Sequence, residues 1–324
     1  MTQGRLRPSI RFGCGWAYIH HMPRGPAYFE SKGACIYCGV KGVELTDEHI
    51  VPYSLGGSHV LRNASCLRCA DITKKFEQRV ARDLWGDART SFNAPTRRKR
   101  ERKSIIVVPD PHDRTKSLTV PASEYPAGLV FYKMSKAGLL QGLHETVDLS
   151  GAWQMVVIDD DERRRNFVKK HPGKLVIKFR HVPDAFGRLL AKVGYGQLLT
   201  ALDPGDFRPI CLPYITGEKS NLSYVVGGTL DDQKPEPQNG YSLSTVVFGS
   251  SSRLMLVALV RLYANTHSPV YHVVVGDVAG AVNVSLIMRK LGISDDPAAT
   301  AIRNPSRPEH WEPQILPLPF WDGP

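Results

Sequence analysis

The clearest periodic signal in the chain is short. Ile72, Phe76, Val80 and Leu84 recur at every fourth position, and Lys74, Lys75, Arg79 and Arg82 fall on the other face. That stripe predicts a helix of roughly four turns ending near Gly86. Ahead of it, the runs 43–45 and 48–51 read as short strands, followed by a Gly56-Gly57 turn. Beyond residue 104 the pattern changes. Runs at 105–108, 128–132, 153–158, 174–179, 221–226, 242–248 and 271–275 predict strands. Residues 185–202 carry Leu189, Leu190, Val193 and Leu198 at helical spacing, and 254–263 fits either state. The expected class is α+β. A small domain at 33–92 follows an irregular basic lead-in at 1–32 and precedes a basic linker at 93–104. A larger mixed α+β domain at 105–294 and a Pro-rich tail at 295–324 complete the chain.

Length and charge narrow the function. A chain of 324 residues favours two domains, and 42% apolar with 23% charged residues excludes a wholly disordered chain. Lys and Arg number 42 against 31 Asp and Glu, a net charge of +11 that favours a polyanionic partner, most simply nucleic acid. Six of the seven residues from Arg97 to Lys103 are basic. Arg97, Arg98, Lys99 and Arg100 read either as a solvated linker or as an arm on phosphates, and the two readings are compatible. The longest apolar stretch, 254–262, is about half of what a bilayer requires and contains Arg261, so no membrane partner is expected. Residues 1–11 carry arginines without an apolar run behind them, so no signal peptide is expected either. A cytoplasmic location follows as the expectation, and disulfides become improbable.

Six cysteines therefore need another explanation. Cys35 and Cys38 form one C-x₂-C pair, and Cys66 and Cys69 form another after 27 intervening residues. Two residues between thiols let the chain turn back on one ion, so the four cysteines make a tetrahedral Zn²⁺ site with no open position, which is structural rather than catalytic. Cys14 and Cys211 have no partner at metal spacing.

Between the pairs lie Thr46-Asp47-Glu48-His49-Ile50-Val51-Pro52, then Gly56-Gly57, then Asn63. Together with the pairs, this order resembles the HNH (ββα-metal) endonuclease family over about residues 33–86, roughly a sixth of the chain. The resemblance implies a small zinc-stabilised ββα-metal (HNH) domain ahead of the larger α+β domain. It implies His49 as general base, a role that suits a neutral imidazole. It implies Glu48 as acidic ligand of a catalytic Mg²⁺ or Mn²⁺, and Asn63 as the residue that shapes the loop and orients the histidine. Adjacent strand residues point to opposite faces, so a twist or bulge is needed to bring Glu48 and His49 together. One position departs from the pattern: Ala70 stands where the family has His or Asn. Asp71, expected in the first helical turn, is either the substitute metal ligand or a carboxylate favoured by the helix dipole.

DNA is the implied partner, with Lys74, Lys75, Arg79 and Arg82 on its phosphates. His59 reads as packing, His20 and His21 as coil, and Trp85 as a plug at the helix end. The acidic run 159–162 reads as a solvated strand-to-helix turn. The larger domain carries no nameable chemistry and is expected to supply specificity, sensing or contacts to another protomer or protein. Two functions stand against each other. One is a metal-dependent DNA endonuclease of restriction, defence or genome processing in bacteria or phage. The other is a catalytically weak or inactive, zinc-stabilised nucleic-acid-binding protein, as Ala70 permits.

Overall fold

The computed structural model describes residues 18–21, 26–91, 104–110, 113, 115–173, 179–228, 233–236 and 240–292. Cys14, the basic residues Arg97, Arg98, Lys99 and Arg100, the expected strand at 174–179 apart from Phe179, and the tail at 295–324 lie outside them. Mixed helix and strand content gives the α+β class.

Two short strands, β1 (Tyr18–His21) and β2 (Ala27–Phe29), fall within the segment expected to be irregular. Neither is stable alone; each borrows its hydrogen bonds from a distant partner. β2 runs parallel to β4 (His59–Cys66), and β3 (Leu45–His49) pairs antiparallel on the other side of β4. The runs 43–45 and 48–51 thus resolve into one strand, with the second hairpin arm built from residues read as a lead into the second cysteine pair.

Helix α1 (Leu67–Arg79) follows β4 directly. The four-residue spacing of its stripe exceeds the 3.6-residue turn, so the stripe drifts by roughly 40° per repeat. A π-helical turn at Val80–Leu84 takes up the drift and keeps Leu84 in the core. Gly86 is not the stop: α2 (Gly86–Ser91) begins there. Trp85 is fully buried between the two, with Nε1 donating to Val130 O at 2.6 Å and its ring edge-on to Phe186 and Tyr263.

Next come two hairpins. β5 (Ile105–Pro109) pairs with β6 (Ser117–Pro121), and β7 (Leu129–Lys133) with β8 (Gln154–Ile158). The acidic run forms the solvated turn expected of it, for Asp160 caps α3 (Asp161–Lys170) by accepting from Arg163 N at 3.0 Å. Helix α4 (Pro183–Leu198) begins with proline at its first turn. After it come β9 (Arg208–Pro209), α5 (Leu212–Thr216), a 3₁₀ turn at Leu222–Tyr224 in place of the strand expected at 221–226, and then β10 (Val226–Gly228).

The remaining strands, β11 (Tyr241–Ser250), β12 (Arg253–Leu262) and β13 (Tyr271–Ala279), form an antiparallel meander before α6 (Ala281–Lys290). The sheet order is β1-β11-β12-β13-β10, with β9 also on β13. The ambiguous run 254–263 is therefore a central strand, apolar on both faces because both are covered.

α4 decides how the small module sits on the rest. From Leu189 to Leu198 it is buried on all sides, as an apolar helix must be. One face packs on β12 and β13, and the other meets the β3–β4 hairpin. At Gly194 a Cβ would stand 2.8 Å from Val273 Cβ, so glycine is what lets α4 approach β13 this closely. One contiguous hydrophobic core runs from Ile36 and Ile50 through Trp85 and α4 to the large sheet. No helix of the described residues is long and apolar enough to cross a membrane.

Candidate metal centre and nuclease site

The four paired cysteines converge. Their sulfurs lie within 4.8 Å of one another, and Cys38 Sγ is 3.7 Å from Cys66 Sγ. Cys35, Cys66 and Cys69 are buried, while Cys38 is exposed. Burial pushes the Cys69 thiol up. At Cys35 burial also raises it, but the backbone N–H groups of Cys66, Cys38 and Tyr37 outweigh burial and draw the thiol down to about 7. Peptide donors aimed at a sulfur fit a thiolate, and four thiolates in one cradle fit a tetrahedral structural metal. The first pair is fixed by Ile36 N donating to Ala64 O at 2.8 Å and by Tyr195 Oη donating to Ile36 O at 2.8 Å.

The hairpin between the pairs carries a wide bulge. Thr46 faces Ser65 and Glu48 faces Leu61, leaving Arg62, Asn63 and Ala64 opposite Asp47 alone. Asn63 sits in the left-handed region at φ 43°, which asparagine tolerates. Its N–H donates to Asp47 Oδ1 at 3.0 Å, and its carbonyl accepts from Ser31 Oγ at 3.1 Å. After β3 the chain turns sharply. A Cβ on Gly57 would lie 1.7 Å from Val51 O, so the second glycine of the pair is sterically required.

The bulge does not bring Glu48 and His49 to one face. His49 is half-buried, with its ring edge-on to Tyr53 at 6.0 Å. Glu48 points inward to α4, where its Oε1 is 2.7 Å from Lys192 Nζ. Lys192 is 1% exposed and also meets Glu77 Oε1 at 2.9 Å and Ile50 O at 3.2 Å, and it donates to His49 O. Burial opposes the Lys192 charge, but Glu48 and Glu77 prevail and hold the ammonium above its ordinary range. Burial raises the Glu77 carboxyl; Lys192 lowers it and Glu48 raises it again, and the result is upward.

Asp71 is exposed. Because α1 starts at Leu67, Asp71 lies beyond the first turn, not within it, and the helix dipole does little for it. Among the described residues, no group of three or more His, Cys, Asp or Glu ligands other than the four cysteines is gathered. Glu48, His49 and Asp71 belong to no such group. His59 is buried and packs against β11, its Nδ1 2.9 Å from Tyr241 Oη. Cys211 is buried, and burial pushes its thiol up.

Lys74, Lys75, Arg79 and Arg82 are all exposed. Lys75, Arg79 and Arg82 line a groove of about 680 Å³ with Arg188 of α4, balanced in part by Asp83 and Asp184. Arg79 lies 3.9 Å from Asp184.

Residues 35–84 match the family model for HNH endonucleases. No curated protein and no solved structure matches the chain. The match covers the cysteine cradle, the bulged hairpin, α1 and the π turn, and it points to nuclease-type activity. HNH nucleases use divalent metals, so the module's fit to such an ion is a fair test. It fails at the expected place: the Glu48 carboxylate is engaged by Lys192, Ala70 has no donor atom, and Asp71 joins neither.

Sequence reading missed Lys192, Glu77 and Tyr195. The available signal was Lys192 itself, a charge set among the otherwise uncharged residues 189–198 of α4.

Proposed function

We propose that the chain hydrolyses phosphodiester bonds of DNA through its HNH module, with His49 as general base. The observation that carries this reading is the placement of His49. It stands at the end of β3, half-exposed, while its neighbour Glu48 is buried. An imidazole there can take a proton from water, and the hydroxide formed attacks phosphorus in line with the leaving 3′ oxygen. Asn63 shapes the loop opposite and fixes Asp47. The four cysteines hold Zn²⁺, which ties the hairpin to α1. Lys74, Lys75, Arg79 and Arg82 neutralise backbone phosphates, a contact that positions DNA without reading bases. No step is assigned to Mg²⁺ or Mn²⁺, because the Glu48 carboxylate is engaged by the Lys192 ammonium.

A second reading has its own observation. Lys192 on Glu48 together with Ala70 favours a zinc-stabilised module that binds nucleic acid without turnover. Incubating plasmid with wild-type protein and with His49→Ala, in Mg²⁺, Mn²⁺ or chelator, separates the two on a gel. Nicks or breaks made by the wild type alone support the nuclease; no cleavage by either under any condition supports the binding protein.

A further inference from the structure

A buried ammonium is strongly unfavourable unless its surroundings replace water. Around Lys192 Nζ they do more than that. Four oxygens surround it: Glu48 Oε1 at 2.7 Å, Glu77 Oε1 at 2.9 Å, Ile50 O at 3.2 Å, and His49 O. An ammonium has three protons to give, and a single positive charge does not neutralise two carboxylates. Two carboxylates with two peptide carbonyls is instead an oxygen set that hard divalent cations take. Ala70 and Glu77 are seven residues apart on α1 and share one face. The helix that lacks a donor at 70 thus still sends a carboxylate to the Glu48 cluster, but to an ammonium.

We propose that Lys192 Nζ is the resident cation of this HNH hairpin, standing where Glu48 would otherwise hold a divalent ion. Glu48 is then a partner of Lys192 rather than a metal ligand. Lys192 acts as a positioning residue: by binding the carbonyls of His49 and Ile50 it fixes the end of β3 from α4. Only this last role, at His49, rests on the nuclease reading. The cation claim concerns binding and is read without any cleavage.

The test is a Mn²⁺ titration of zinc-loaded, full-length protein, followed by the loss of the free-ion electron paramagnetic resonance signal. Wild type and Glu48→Gln are expected to bind Mn²⁺ alike. Lys192→Met, with zinc content and circular dichroism intact, is expected to bind one further Mn²⁺ per chain, at least about tenfold more tightly than any wild-type site. Adding Glu48→Gln to Lys192→Met should abolish that site. A folded Lys192→Met protein that binds no more Mn²⁺ than the wild type overturns the proposal. So does a wild-type Mn²⁺ site lost in Glu48→Gln, a comparison that decides the matter even if Lys192→Met fails to fold. Absence of DNA cleavage, by contrast, counts against the nuclease reading alone.

Discussion

Tyr195 Oη donates a hydrogen bond of 2.8 Å to the carbonyl of Ile36, inside the first cysteine pair. Both residues are buried, so α4 of the larger region braces the metal cradle of the small one. Tyr195→Phe leaves that carbonyl unsatisfied away from water, which costs about 1–3 kcal/mol. A thermal melt and the rate of zinc loss to a chelator check it; both should worsen. Unchanged values in both would mean that the brace carries no load.

The cradle itself should be indispensable. Cys66→Ser or Cys69→Ser removes one of the four ligands that tie the β3–β4 hairpin and α1 to the first cysteine pair. Metal content by mass spectrometry should fall, and amide exchange over 35–84 should accelerate. A serine variant with full protection and no zinc would contradict the structural role of the ion.

Trp85→Phe keeps most of the packing against Phe131, Phe186 and Tyr263 but deletes the donor to Val130 O. The expected loss is again about 1–3 kcal/mol, seen as a lower denaturation midpoint with little change in slope.

The HNH module was legible because its signals are local. Two C-x₂-C pairs and the Glu48-His49-Ile50-x-Pro52 strand declare themselves within a few residues of each other. Its surroundings were not, because they depend on partners far away in sequence. β1 and β2 are four and three residues long, and only β11 and β4 make them strands. β4 was hidden by its own bulge, which breaks alternation at Arg62 and Asn63, both exposed. β12 was ambiguous because a strand covered on both faces has no period to read. Glu48 was assigned by its motif, yet its contact is chosen by Lys192 from the other region. Nothing adjacent to either residue announces that pair.

Stability should also depend on one histidine outside the module. Burial, with Lys136 nearby, lowers His272 from 6.5 to about 4, and its Nε2 accepts from Ala137 N at 2.9 Å. The folded state therefore refuses a proton that the unfolded chain accepts. Its contribution is complete above about pH 6.5 and is lost as pH falls towards 4. The full shift would be worth about 3 kcal/mol, and less for a ring that keeps some exposure. Melting temperatures from pH 4 to 7 should fall less steeply in His272→Gln than in the wild type. Equal slopes would remove His272 from the account.

The central claim is that His49 takes the proton from the attacking water. It is tested most directly by single-turnover cleavage of an end-labelled DNA duplex by wild-type protein and by His49→Ala, both zinc-loaded and both shown to bind the duplex. The account predicts cleavage by the wild type and a loss of roughly 10²–10⁴-fold in His49→Ala at unchanged DNA affinity. Cleavage by His49→Ala at the wild-type rate would contradict it.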